Sequence, residues 1–124
     1  GQMLRSGATT TWEIVDRREP GIDHIQPAGR SHCHGWSAAP AGLLPAHILG
    51  VTPSSPGYRT IDIRPALGDL AWAEGEIPTP LGNIRVAIKS PHTGEIILPA
   101  GITGTLNLPG RAPQMLSAGR TIFC

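Results

Sequence analysis

From residue 51 onward the apolar side chains fall on every second position, and no other feature of the chain limits its fold as tightly. Ile61 and Ile63 are set against Thr60, Asp62 and Arg64; Ile84, Val86 and Ile88 against Arg85 and Lys89; Leu106 and Leu108 against Thr105 and Asn107. A repeat of two is that of a strand with one face buried. Turn-forming words separate the runs: Leu67-Gly68-Asp69, Pro80-Leu81-Gly82-Asn83, Pro91-His92-Thr93-Gly94 and Pro109-Gly110-Arg111. Several short strands so spaced predict a mainly β fold, an antiparallel β-sandwich. The 16 Gly and 13 Pro among 124 residues agree, since they suit many short strands better than long helices. Trp72 is expected on a strand, in the sandwich core, and Val51 to Gly57 reads as a linker by composition.

The first fifty residues have another rhythm. Gly7 to Val15 is expected to open a helix, with Thr9 or Thr10 capping its free amides and Glu13 near the first turn, where the helix dipole favours a carboxylate. Arg17 to Pro27, with two prolines and a glycine, reads as loop. Trp36, Ala39, Leu43, Leu44 and Ile48 then recur at helical spacing. Ser37 is placed to cap that helix, Pro40 is tolerated in its first turn, Pro45 should kink it and Gly50 supplies a left-handed stop. The domain reading is a helical piece over residues 1–50 and a sandwich over 51–124. The latter's 74 residues are near the size at which one core barely suffices, so it should lean on a neighbour. The helical pieces are too few to close a domain, and alone their apolar faces would drive self-association.

Composition excludes several partners. The formal charge is +1 with scattered arginines, so no nucleic-acid or anionic-membrane footprint is visible, and no apolar run approaches the roughly 18 residues of a membrane span. The chain starts at Gly1 without Met or a leader pattern, which reads as an excerpt. Cys33 and Cys124 could bridge, but in an otherwise conventional domain two free thiols and a cytoplasmic origin are favoured.

Chemistry concentrates in two words. Gly7-Ala8-Thr9-Thr10-Thr11-Trp12-Glu13 sets a carboxylate beside an indole; Ser31-His32-Cys33-His34-Gly35-Trp36-Ser37 sets an imidazole beside another. Indole faces for sugar C–H groups and ionisable groups for proton transfer are the materials of a sugar site. These words resemble the C-terminal end of bacterial α-L-rhamnosidases of glycoside hydrolase family 78. So do Leu49-Gly50-Val51-Thr52-Pro53, Pro56-Gly57-Tyr58, Ile63-Arg64-Pro65, Gly68 to Gly75 and Pro78-Thr79-Pro80-Leu81-Gly82. The tail Leu98 to Pro109 resembles the closing strand pair of those enzymes, and Asp16 to Arg30 is the least characteristic part.

The resemblance implies an inverting glycosidase on an (α/α)6 barrel, of which this chain keeps the last helices and the sandwich that follows. It implies that Glu13 is the general base that activates water, and that His34, 21 residues on, lines the rhamnose pocket. A carboxylate of ordinary pKa, about 4.3, is charged at neutral pH as a base must be. A neutral imidazole offers one donor and one acceptor to a sugar hydroxyl. Trp12 and Trp36 either stack on the sugar or fill the barrel wall. The family's general acid lies earlier in the barrel, and Asp16, Glu19 and Asp23 match no acid motif, so this chain alone should not hydrolyse a glycoside. The partners implied are a rhamnose-containing glycoside and the remainder of the barrel, with no cofactor.

Other chemistries fit less well. His32-Cys33-His34 suggests a metal, but adjacent residues seldom converge on one ion and no second ligand cluster follows. Neighbours in sequence such as Cys33 and His34 rarely align as nucleophile and base, and Gly101 to Gly104 lies between strand patterns, not at a phosphate-binding strand-to-helix turn. The alternative of another class is a free-standing β-sandwich that binds carbohydrate or a protein. Such modules carry a row of aromatics on an exposed face, and beyond residue 50 only Tyr58, Trp72 and Phe123 are available.

Overall fold

The computed structural model describes residues 2–5, 7–13, 31–90 and 92–124. The loop expected over Arg17 to Pro27, the carboxylates Asp16, Glu19 and Asp23, and Pro91 of one turn word lie outside these. The chain divides into two compact units, Gly1–Gly42 and Leu43–Cys124.

The second unit is a sandwich of two four-stranded sheets. Its strands are β1 (Val51–Pro53), β2 (Thr60–Ile63), β3 (Ala73–Thr79), β4 (Gly82–Ser90), β5 (Thr93–Leu98), β6 (Thr103–Leu106), β7 (Gln114–Leu116) and β8 (Gly119–Phe123). One sheet has the order β1-β2-β6-β7, the other β3-β4-β5-β8. All neighbours are antiparallel except β2 and β6, which run parallel with Thr60 opposite Thr103 and Ile63 opposite Leu106. A parallel pair needs a long crossover, here supplied by β3, β4 and β5 in the other sheet.

The alternation expected from sequence fills the space between the sheets. Ile61, Ile63, Ile84, Val86, Ile88, Ile96, Ile102 and Leu106 are all but sealed from solvent. Branched side chains suit a pleated, packed surface, and burying each one stabilises the fold by about 1.5–3 kcal/mol. Among the described residues no polar or charged side chain is buried, so the interior rests on packing alone.

Two expectations for this unit are corrected. Val51-Thr52-Pro53 is no linker but the edge strand β1, its residues paired with Ile63, Asp62 and Ile61. Proline is tolerated there because an edge strand leaves one row of N–H groups unpaired. Trp72 is not core: it precedes β3 and is 62% exposed. The phase of β3 explains this, since Ala73, Gly75 and Ile77 face inward and position 72 belongs with outward Glu74 and Glu76. Leu49 packs close against the inward side of β3; a methyl group on Gly75 would lie 2.9 Å from its Cδ1.

Before the sandwich lie short helices: α1 (Gln2–Arg5), a 3-10 turn (Gly35–Ala38) and α2 (Pro40–His47). The single helix expected from Trp36 to Ile48 is thus divided at Ala39, with Pro40 opening α2 and Pro45 inside it. Gly50 is left-handed as expected, at φ 73°, but it stands three residues beyond the end of α2, just before β1. Ser37 does not cap; His34 holds the position before the 3-10 turn. Gly7 to Glu13 is also no helix start. Gly7, at φ 68°, ends α1 by donating to the Leu4 carbonyl at 3.1 Å, and the described residues to Glu13 are non-helical. Three consecutive β-branched threonines disfavour a helix there, and their hydrogen bonds go elsewhere.

Candidate active site

Within the first unit, the two words singled out in the sequence are laced together backbone to backbone. The Glu13 N–H donates to the Ser31 carbonyl at 2.9 Å, and the His34 N–H to the Thr11 carbonyl at 2.8 Å. Threonine hydroxyls, expected to cap a helix, reinforce the pairing. Thr10 Oγ1 donates to the His32 carbonyl at 2.5 Å and Thr11 Oγ1 to the His34 carbonyl at 3.0 Å. Ser37 Oγ closes the far end by donating to the Trp12 carbonyl. Each bond is worth about 0.5–1.5 kcal/mol net, so the arrangement depends on several acting together.

The pairing fixes where the chemistry-bearing side chains stand. Glu13 is half-buried, and its Oε2 accepts the Ser31 backbone N–H at 3.0 Å. A backbone N–H directed at a carboxylate makes a charge-assisted hydrogen bond, which holds the carboxylate in place. His34 is also half-buried, its ring centroid 4.3 Å from that of Trp36 with the planes at 46°. Trp12 is buried, with its N–H on Met3 Sδ at 3.4 Å and its indole 5.4 Å from the His32 ring. Trp36 is 66% exposed and donates its indole N–H to the Glu13 carbonyl at 3.3 Å. Glu13 and His34 therefore sit on neighbouring paired segments, with both indoles attached to the same lacing.

Sequence reasoning missed Ser31, Ser37 and Thr11, which hold the two words together. The hydroxyl-rich spelling of both words is the signal that could have found them. Cys33 and Cys124 are free and exposed. Among the described residues no three His, Cys, Asp or Glu side chains converge as metal ligands, and no helix is long and apolar enough to cross a membrane.

The sandwich carries a shallow depression of about 440 Å3 on the outer face of β3, β4 and β5, lined by residues including Glu74, Glu76, Arg85 and Glu95. Its charges largely satisfy one another. Arg85 Nε meets Glu76 Oε1 at 2.8 Å, Asn83 donates to Glu76 Oε2 at 2.8 Å, and Arg120 pairs with Glu95 at 2.6 Å. The hydrogen bond and the charge of Glu95 raise the Arg120 pKa above its ordinary value.

The chain thus joins a short helical portion to a sandwich of two four-stranded sheets. Residues 50–123 match the model of the bacterial alpha-L-rhamnosidase C-terminal domain, and the chain belongs to that family. An alpha-L-rhamnosidase from Alteromonas sp. (strain LOR) is 36% identical over 88 residues, which are 68% of this chain and 9% of that protein. The solved α-L-rhamnosidase of Aspergillus terreus matches 97% of this chain and 15% of its own, at 25% identity and a TM-score of 0.75. The GH78 family rhamnosidase of Bacillus sp. GL1 matches 89% of this chain and 12% of its own, at 37% identity and a TM-score of 0.58. The chain thus spans less than a fifth of each of these relatives.

Proposed function

We propose that this chain is the C-terminal stretch of an inverting α-L-rhamnosidase and supplies one of the two carboxyl groups of its reaction. Residues 1–50 contribute the last helical pieces of an (α/α)6 catalytic barrel, and residues 51–124 form the sandwich that follows it. Glu13 takes a proton from water as the water oxygen bonds to the anomeric carbon of a rhamnoside. The glycosidic C–O bond breaks in the same step, and its electron pair leaves on an oxygen protonated by an acid in the earlier part of the barrel. His34 hydrogen-bonds a sugar hydroxyl, and Trp12 and Trp36 wall the pocket. Inverting enzymes keep their carboxyls about 6.5–9.5 Å apart to admit the water, so the acid must stand at that distance from Glu13. Lacking it, this chain alone is inactive.

The observation that carries this reading is the pairing of the Glu13 and His34 segments, with the Glu13 carboxylate anchored on the Ser31 N–H at 3.0 Å. An anchored, half-buried carboxylate is pre-positioned, which is what a base acting on one water requires. In the complete enzyme, Glu13→Gln should lower kcat by about 10²–10⁴-fold with the circular dichroism spectrum unchanged. The anomer first released, read by proton NMR, should be inverted. Activity within tenfold of the parent would remove Glu13 from the role of base.

A binding-module role for the sandwich has less support. The outer face of β3, β4 and β5 bears charged pairs, Phe123 is buried, and exposed Trp72 stands without a row of aromatic neighbours.

A further inference from the structure

We propose that Trp36 is a positioning residue that holds Glu13 and His34 in mutual register, and not primarily a stacking platform for sugar. The inference rests on Glu13 being the base. Trp36 reaches both residues at once. Its indole N–H, the side chain's only polar group, is spent on the Glu13 main-chain carbonyl at 3.3 Å, while its ring lies 4.3 Å from the His34 imidazole.

Glu13 is thereby held at three points. Its N–H is bound to the Ser31 carbonyl at 2.9 Å, its carbonyl by Trp36, and its carboxylate by the Ser31 N–H at 3.0 Å. The two Ser31 contacts make a closed ring that fixes the carboxylate relative to residue 31. The indole N–H adds a contact on the Glu13 main-chain carbonyl, which neither Ser31 contact touches. The next residue, Ser37, donates its hydroxyl to the Trp12 carbonyl, so consecutive residues of the 3-10 turn grip consecutive carbonyls of the segment that bears Glu13. A pair of adjacent side chains clasping a pair of adjacent carbonyls is a device for register.

A positioning role separates from a stacking role by chemistry. Phenylalanine keeps an aromatic face for His34 or for sugar but has no N–H to donate. In the complete enzyme, Trp36→Phe should therefore lower kcat about ten- to a hundredfold, the usual consequence of misplacing a reacting group by a fraction of an ångström to one ångström. KM should stay within twofold. In the 124-residue chain, Trp36→Phe should shift the Ser31 amide and His34 ring signals in NMR spectra and leave those of Ile84 and Ile96 in place. A raised KM with unchanged kcat would make Trp36 a sugar platform and overturn the proposal, as would unmoved Ser31 and His34 signals. Glu13→Gln in parallel separates the two ideas. If it leaves the enzyme active, the base assignment falls and the proposal with it; if it silences the enzyme while Trp36→Phe keeps full kcat, only the positioning role falls.

Discussion

One narrow tolerance in the sandwich is at Gly104. It lies on β6 directly opposite Ile61 of the parallel neighbour β2, and a methyl group there would come within 2.6 Å of both Ile61 Cγ1 and the Ile61 carbonyl oxygen. A flexible side chain could give way, but a main-chain carbonyl cannot. Gly104→Ala should therefore destabilise the sandwich by about 1–3 kcal/mol, the range for overpacking a filled interior. Thermal or urea unfolding followed by circular dichroism would measure this, and an unchanged midpoint would contradict the geometry. None of this is legible in the sequence, where Gly104 is one of several glycines between strand patterns. Its constraint comes from a strand more than forty positions away. The site residues fared differently. Glu13 and His34 stood out because their words resemble a known family, whereas the hydrogen bonds of Thr11, Ser31 and Ser37 depend on a pairing that no periodicity announces.

Among the elements, strands with one buried face were readable and those without were not. The alternation of Ile84, Val86 and Ile88 on β4 follows from the physics of a half-buried ribbon, and these residues form the core as expected. β1 escaped notice because its three residues include Pro53 and run into a Ser-Ser-Pro turn. Trp72 was misassigned because bulk was taken for burial, when the small residues Ala73 and Gly75 carry the inward phase. The parallel pairing of β2 and β6 is a property of the assembled sandwich, not of either segment. Helix α2 has a different consequence. Its eight residues are apolar or small up to His47, and Leu43 and Leu44 are 53% and 57% exposed. Uncovered leucines of this kind favour association. We therefore expect this chain to self-associate at high concentration, and Leu43→Gln with Leu44→Gln to return it to monomer in sedimentation velocity without lowering its melting point. A monomeric parent chain would refute this.

At the scale of the whole molecule, the chain holds a two-sheet sandwich and a short helical portion, and it spans less than a fifth of the relatives it matches. It should release no nitrophenol from p-nitrophenyl α-L-rhamnoside, however long it is incubated; turnover by the purified chain would mean that both carboxyls lie within it. The connectivity of the sandwich also dictates an order of events during synthesis. Strands β3, β4 and β5 can zip together as soon as they leave the ribosome, because each follows its neighbour closely in the chain. The first two strands can pair with each other early, but the other edge of β2 must wait, for β6 is made only after that other sheet is well advanced. Until then β2 presents a bare apolar flank to the cytosol of whichever cell is translating it. A nascent chain stalled between residues 64 and 102 would thus be a substrate for chaperones, and the closing segment decides whether the product survives.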